Sequence, residues 1–166
     1  DRVTTDGLAV YAAGIAAAPV GEANLDNTPF LIFTVDSLSR RMDPEAFLPL
    51  FTEWEADLEQ GLFLLPIDEN GLVYNDVQKP HSPYGFTDTI GKTGTLYMES
   101  LLYWRACRMM EHMCKTYGVG NPDHFAEAAE SVERSLSLLF DPAAGAFYAA
   151  TKDCHQYDIW GMAYML

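Results

Sequence analysis

The order of apolar and polar residues along this chain predicts a succession of helices. In most segments the apolar residues recur at spacings of three and four, the period of a helix with a buried face. Helices are predicted over about 4–18, 28–42, 44–60, 93–117, 122–140 and 158–166. Their boundaries coincide with capping residues and helix breakers, namely Thr28-Pro29, Asp43-Pro44, Gly61, Gly118, Asn121-Pro122 and Asp158. The pattern therefore predicts an all-α fold.

Two kinds of helix alternate in this prediction. The segments 28–42, 93–117 and 158–166 are apolar on almost every side, at least in their first halves, so they are predicted to be inner helices. The segments 44–60 and 122–140 carry one apolar face and are predicted to be outer helices. Helices joined by such short connections pack as antiparallel hairpins. About three hairpins are expected, in the two-layer arrangement of an α/α toroid, and a closed ring of six would need about twice this chain.

Residues 62–91 have no helical period and carry several prolines. Residues 68–71 read as a turn, residues 72–74 as a short strand and residues 145–149 as a short strand or hairpin arm. Short β segments are therefore expected in the connecting loops. A loop as long as 62–91 in a compact domain is usually functional or disordered, and its aromatic content favours an ordered one.

Composition places the 166 residues in one globular domain, since 49% are hydrophobic and 20% are charged. The net charge of −14 argues against binding to nucleic acid and to anionic membrane surfaces. No uninterrupted apolar run approaches the roughly 20 residues that span a bilayer. The cellular location is left open, with the cytoplasm preferred.

The cysteines and histidines do not predict a metal site or any other cofactor. Their spacing contains neither CxxC nor HxxxH, so packed thiols are the expected state of the three cysteines. A zinc-dependent toroid enzyme is the alternative, and it requires these residues to converge in space: Cys107, His112, Cys114, Cys154 and His155.

Acids and aromatics are concentrated in the connections that lead into the inner helices. The stretch 22–30, Glu-Ala-Asn-Leu-Asp-Asn-Thr-Pro-Phe, is similar to the loop ending in Asp-Asn-Ser-Pro in the glucosidase and trehalase branch of the six-hairpin glycosidases. The stretches 99–104, 140–142 and 145–148 also resemble these enzymes, although Glu99 stands where relatives commonly have Asn. The resemblance extends from about residue 22 onward and implies an α/α toroid that hydrolyses glycosides.

This resemblance implies that Asp26 is the general acid of a glycosidase. Hydrolysis of a glycosidic bond needs two carboxyl groups, one to protonate the leaving oxygen and one to activate water or attack. In the resembling enzymes the base lies late in the chain, and Asp88 is the candidate within this sequence. A helix N-terminus lowers the pKa of a carboxyl, so the alternative is that Asp26 and Asn27 only cap the helix.

Further side chains in these connections are candidates for binding a sugar. Aromatic rings stack on the apolar faces of sugar rings, and charged or amide groups bind hydroxyls. Glu99 lies in a buried helix, so it is expected either to pair with Lys92 or Arg105 or to face a central cavity. Lys92 is expected to bind a hydroxyl or to pair with Asp88. The candidate substrate-binding residues are Asn27, Tyr84, Phe86, Lys92, Glu99, Asp158 and Trp160.

The leading hypothesis is a glycoside hydrolase with its carboxyl groups at the mouth of a helical toroid and a carbohydrate as substrate. A non-catalytic carbohydrate-binding toroid and a helical scaffold for protein partners are the alternatives. The apolar segment that reaches Leu166 has no capping residue, which suggests that another chain or a missing segment completes the toroid.

Overall fold

The computed structural model describes residues 24–81 and 91–166, together with the backbone of Ala12–Ala13 and Ala18–Pro19. Within these ranges the protein is mostly helical, as predicted. The helices are α1 (Asn27–Ser39), α2 (Pro44–Phe63), α3 (Tyr97–Tyr117), α4 (Pro122–Ser135) and α5 (Ile159–Met165), with a short 3₁₀ helix over Leu136–Leu139. The strands are β1 (Ala12–Ala13), β2 (Ala18–Pro19), β3 (Tyr74–Asn75), β4 (Gly94–Thr95), β5 (Phe140–Asp141) and β6 (Ala146–Phe147).

The short strands form three antiparallel pairs, β1 with β2, β3 with β4 and β5 with β6. The helix predicted over 4–18 is wrong at its three described positions, because Ala12 pairs with Pro19 and Ala13 with Ala18. This stretch is apolar without a helical period and contains Gly14, which costs about 1 kcal/mol in a helix interior. The strands predicted at 72–74 and 145–149 overlap β3 and β6, whereas β4 and the first residue of β5 lie where a helix was predicted.

Most helix ends follow from their local sequence. The Asp43 side chain accepts a hydrogen bond from the backbone N–H of Glu45 at the start of α2, and the Asn121 side chain accepts one from Asp123 at the start of α4. Gly118 ends α3 with a positive φ of 67°, a conformation that suits glycine.

Four predicted boundaries are wrong. The helix predicted to reach Met42 ends at Ser39. Gly61 lies inside α2 instead of ending it. The helix predicted from 93 starts at Tyr97, because Gly94–Thr95 is paired with β3. The helix predicted to reach Phe140 ends at Ser135 and continues as the 3₁₀ helix and β5.

Helix α3 is the central element, and it packs against α1, α2, α4 and α5. Its first two turns are buried on every side, which confirms the prediction for this segment. The core around it is formed by aromatic and aliphatic side chains of all the long helices, including Ile32, Phe47, Phe51, Leu62, Leu101, Met110, Phe125 and Val132.

Helix α1 runs in the same direction as α3. The ring of Phe33, in the middle of α1, lies 5.4 Å from the guanidinium of Arg105, in the first half of α3. Helix α2 is antiparallel to both, because Phe47 near its start packs against Tyr117 at the end of α3, and Gly61 near its end packs against Thr28 at the start of α1. Helices α1 and α3 therefore begin at the same end of the domain.

Helix α5 also runs in the direction of α3. Gly161, near its start, lies against the ring of Tyr97 at the start of α3. Tyr164, near its end, accepts a hydrogen bond of 2.9 Å from Arg105, further along α3. The three helices α1, α3 and α5 are consequently parallel to one another.

Helices α2 and α4 run in the opposite direction. Gly61, near the end of α2, packs against Thr28 at the start of α1. Glu133, near the end of α4, accepts a hydrogen bond of 2.7 Å from the indole of Trp104 in the first half of α3. Consecutive long helices are thus antiparallel, and α1, α3 and α5 share one direction.

The predicted burial of α1 and α5 on all sides is wrong. Helix α1 leaves Phe30 and Leu31 exposed, and α5 leaves Ile159 and Trp160 exposed. In contrast, Phe125 of the predicted outer helix α4 is fully buried. An apolar side chain is buried only where a neighbour covers it, and the described neighbours of α1 and α5 cover one side of each helix.

Candidate functional site

Three acidic side chains lie at the beginnings of the three parallel helices. Asp26 precedes α1, Glu99 is in the first turn of α3, and Asp158 precedes α5. Because these helices share one direction, all three acids lie at the same end of the domain. Each is nearly inaccessible to solvent, with 4%, 1% and 4% of its surface exposed. Buried acids need specific partners, so this end of the domain is the candidate site.

The positions of Asp26 and Glu99 along their helices correspond closely. Two helical turns are about seven residues. Phe33 of α1 contacts Arg105 of α3. Seven residues earlier, α1 has Asp26 and α3 has Met98, which is adjacent to Glu99. The two acids therefore lie at about the same height in the domain.

Strand β4 and the residues before it hold Lys92 in place. The side-chain amide of Asn75 donates a hydrogen bond of 2.7 Å to the carbonyl oxygen of Lys92. The backbone N–H of Lys152 donates one of 3.0 Å to the carbonyl oxygen of Thr93. Gly94 has a φ of +81°, and a Cβ there would collide with the side chain of Thr151. The segment that carries Lys92 is thereby fixed against the segment that leads to Asp158.

Asp158 is fixed by its role as the cap of α5. Its backbone N–H donates to the carbonyl oxygen of Phe147 at 2.8 Å, and its Oδ1 accepts from the N–H of Gly161 at 2.9 Å. A Cβ at Gly161 would lie 2.5 Å from a ring carbon of Tyr97, so glycine permits α5 to approach α3 closely. The sequence prediction that Asp158 opens this helix is confirmed.

Lys92, Glu99 and Asp158 meet in the interior, and we call them the polar cluster. The ammonium nitrogen of Lys92 lies 3.5 Å from Oε1 of Glu99 and 4.0 Å from Oδ2 of Asp158. At most 9% of any of these side chains is exposed. The expected pairing of Glu99 with Lys92 is confirmed, whereas the alternative partner, Arg105, donates to Tyr164.

Two oxygens of the polar cluster lack a hydrogen-bond partner among the described residues. They are Oε2 of Glu99 and Oδ2 of Asp158, and both are buried. A buried oxygen without a donor costs about 1–3 kcal/mol, so native proteins rarely leave one. The cluster can therefore bind a proton or accept hydrogen bonds from a ligand.

Burial raises the pKa of Glu99 to about 7, and the charge of Asp158 acts in the same direction while Lys92 opposes it. A carboxyl with a pKa near the working pH suits proton transfer, because it is protonated often enough and donates readily. Burial and the charge of Asp158 also raise the pKa of Tyr97 to about 12, so this hydroxyl stays neutral.

Asp26 occupies the capping position of α1, but its side chain makes no capping hydrogen bond to the helix. The alternative was that Asp26 serves only as a cap, but the side-chain hydrogen bond expected of such a cap is not formed. Asn27 is the first residue of α1 and is partly exposed. The prediction that Thr28 caps the helix is wrong, since Thr28 is buried within the first turn.

Of the other predicted site residues, Tyr84, Phe86 and Asp88 lie outside the described residues. Trp160 is in α5, two residues after Asp158, and 73% of its surface is exposed. Trp160 therefore lies on the surface near this end of the domain and is not part of the packed core.

Two residues of the site were not predicted from the sequence. Asn75 anchors the backbone of Lys92, and the hydroxyl of Ser100, next to Glu99, accepts a hydrogen bond of 2.9 Å from the backbone N–H of Val73. Both are buried polar side chains in apolar surroundings. The signal for both residues in the sequence was a polar side chain within an apolar stretch.

A cavity of about 590 Å³ lies along α3 between Leu101 and His112, and no residue of the polar cluster lines it. It is lined mainly by apolar side chains together with Arg105, Arg108 and Glu133. None of the six predicted site residues within the described ranges lines it. Within 24–81 and 91–166 there is no group of three or more potential metal ligands, and the described helices are neither long nor apolar enough to cross a bilayer.

Comparisons of the chain with protein-family models, with curated proteins and with solved structures give no match.

Proposed function

We propose that this chain is part of a glycoside hydrolase of the α/α toroid type, with its active site at the beginnings of α1, α3 and α5. The alternation of helix directions supports the architecture, because parallel inner helices and antiparallel outer helices form the two layers of such a toroid. In this proposal, further helices from another chain or a further segment pack against the apolar residues that are exposed on α1 and α5.

The observation that carries the proposal is the polar cluster at the same end of the domain as Asp26. Glycoside hydrolysis needs a carboxyl group that keeps a proton near neutral pH and a second one that is ionised. Burial gives Glu99 the first property. Asp158 differs from Glu99 because its Oδ1 accepts the capping hydrogen bond from the backbone N–H of Gly161. Two buried carboxyl groups in different environments are what this chemistry requires.

The remaining candidates from the sequence have defined roles in this proposal. Asp26 and Asp88 are the carboxyl groups that the resemblance implies for acid and base. Lys92 and the unpartnered oxygens of the polar cluster bind sugar hydroxyls, since carboxylate oxygens accept hydrogen bonds and an ammonium donates them. Asn27 contributes an amide at the same end, and Trp160, Tyr84 and Phe86 are aromatic platforms for sugar rings.

The test is hydrolysis of a panel of oligosaccharides and aryl glycosides by the wild type and three variants. Asp26→Asn and Glu99→Gln remove a carboxyl group at the site and keep the shape of the side chain. Glu111→Gln, at a partly buried position further along α3 that pairs with Arg108 and Lys115, is the control. The proposal expects turnover that is lost by roughly 10²–10⁴-fold in at least one of the first two and retained in the control. Sugar binding without any turnover would indicate a non-catalytic carbohydrate-binding domain instead.

A further inference from the structure

The cavity along α3 has mainly apolar walls. Its volume of about 590 Å³ lies within the roughly 300–1,000 Å³ of pockets that hold small molecules. Leu101 and Val132 are buried and form its floor, and Met109, Leu136 and Met165 line its sides. Methionine side chains are flexible and adapt to the shape of a ligand. The walls therefore favour a ligand whose larger part is apolar.

Positive charge is concentrated at the same cavity. Three of its lining residues, Arg40, Arg105 and Arg108, belong to the 10 lysines and arginines of a chain whose net charge is −14. Glu133 is the one acid among the lining residues. A local excess of positive charge attracts anions, and this attraction is most distinctive on a protein that is acidic elsewhere.

Two of the three arginines are already paired with acids of the protein. Arg40 donates hydrogen bonds of 2.8 and 3.2 Å to the carboxylate of Asp36. Arg108 pairs with Glu111 at 2.8 Å and with Glu133 at 2.7 Å. The charges of these two arginines are therefore balanced without a ligand.

Arg105 has no acidic partner within residues 24–81 and 91–166. Its guanidinium donates one hydrogen bond of 2.9 Å, to the hydroxyl of Tyr164. The guanidinium also lies over the rings of Tyr164 and Phe33, at 5.2 and 5.4 Å from their centres. These contacts hold the guanidinium in place, while its other N–H groups make no hydrogen bond to a described residue. A donor that is already fixed loses little freedom when it binds an acceptor.

We propose that this cavity binds a small monocarboxylate with a flexible aliphatic body. The carboxylate binds Arg105, because the planar guanidinium can donate two parallel hydrogen bonds to the two oxygens of a carboxylate. A single negative charge matches the one arginine that lacks an acidic partner. The aliphatic body lies on the apolar walls, which extend about 16 Å along α3 between Leu101 and His112. The inference is independent of glycoside hydrolysis, since no residue of the polar cluster lines this cavity.

The first test varies the head group of the ligand. Isothermal calorimetry is carried out with decanoate, decanol and decylammonium, which share one tail and differ in charge. The wild type should bind one decanoate, roughly fivefold or more tightly than decanol, and decylammonium most weakly. High salt should reduce the difference between decanoate and decanol, because it screens the charge of the exposed guanidinium. Equal affinities for the three, or several equivalent decanoate sites, would overturn the proposal.

The second test removes the charge that is proposed to bind the carboxylate. Arg105→Leu should weaken the binding of decanoate roughly fivefold and leave that of decanol nearly unchanged. Arg134→Leu is the matched control, since it removes the same charge from an exposed position of α4 that does not line the cavity. An equal loss in both variants would show an effect of net charge and overturn the assignment of Arg105. The comparison of head groups in the wild type decides the question if Arg105→Leu does not fold.

The third test examines whether the aliphatic body lies in the cavity. Shortening decanoate to octanoate should lower the affinity roughly fourfold for each methylene that is removed from the apolar walls. Met109→Trp places a larger side chain at a half-buried position of the cavity and should weaken decanoate and decanol alike. An affinity that does not depend on tail length, or undiminished binding in Met109→Trp, would place the ligand elsewhere and refute the inference.

Discussion

Replacing Glu99 by glutamine should change how the stability of the protein depends on pH. Burial raises the pKa of Glu99 from its ordinary value of 4.5 to about 7 in the folded protein. Between these values the folded protein keeps a proton that the unfolded chain has released. The stabilising contribution is therefore fully present below pH 4.5 and is lost as the pH rises to 7. Glutamine does not titrate, so the variant lacks this loss.

The size of the effect follows from the difference between the two pKa values. Each pH unit between them lowers the free energy of unfolding by about 1.4 kcal/mol, or about 3 kcal/mol over the whole interval. The isoelectric point of about 4.4 makes the acidic end unsuitable, because proteins precipitate when their net charge is near zero. Between about pH 5.5 and 8.5 the expected loss is about 2 kcal/mol.

Urea unfolding followed by circular dichroism measures this loss at several pH values. The wild type should lose about 2 kcal/mol more than Glu99→Gln across the window. Glu111→Gln, on the same helix, is the matched control: Lys115 and Arg108 lower the pKa of Glu111, so it stays ionised throughout. Glu111→Gln should change the free energy of unfolding by the same amount at every pH of the window. Parallel curves for the wild type and Glu99→Gln would refute a buried acid that is protonated in this range.

Three further substitutions test the surroundings of the site. Gly161→Ala places a Cβ 2.5 Å from the ring of Tyr97 and should cost about 1–3 kcal/mol in urea unfolding, and an unchanged midpoint would contradict the close packing of α5 on α3. Ser100→Ala leaves the backbone N–H of Val73 without its acceptor and should cost about 1–3 kcal/mol, whereas a neutral result would show that another group replaces the hydroxyl. Trp160→Ala, at an exposed position, should change stability by less than about 0.5 kcal/mol but weaken sugar binding in calorimetry, and unchanged affinity would remove Trp160 from the site.

The helices were predictable where their signals are local. Asp43 and Asn121 each cap a helix through a side chain, and Gly118 ends one through its backbone conformation. Gly61 failed as a stop signal because α2 continues past it to Phe63, with Leu62 buried in the core and Gly61 packed against Thr28 of α1. That contact between two helices leaves no mark in the sequence near Gly61.

The candidate site was predictable in part. The pairing of Lys92 with Glu99 was one of the expected options, since both residues lie near the start of the same predicted helix. The contact between Lys92 and Asp158 was not, because it depends on the hydrogen bond that joins Thr93 to Lys152. Sequence patterns record which residues are polar, and the pairing of distant segments decides which of them meet.

The burial of α1 illustrates a different limit. Its apolar pattern predicts contacts on every side, but residues such as Phe30 and Leu31 remain exposed on the described fold. A pattern of this kind reports the need for a covering surface and does not say which segment or chain provides it.

Mapping amide chemical shifts by NMR during titration with sugars tests the location of the proposed active site most directly. A panel of monosaccharides and disaccharides is added to the labelled protein, and the backbone amides of the two ends of the domain are compared. A sugar that binds as proposed should shift the amides of residues 26–28, 92–99 and 158–161 and leave those of 39–44 and 117–122 unchanged. Shifts confined to the second group, or no shifts with any sugar, would contradict a carbohydrate site at the beginnings of α1, α3 and α5.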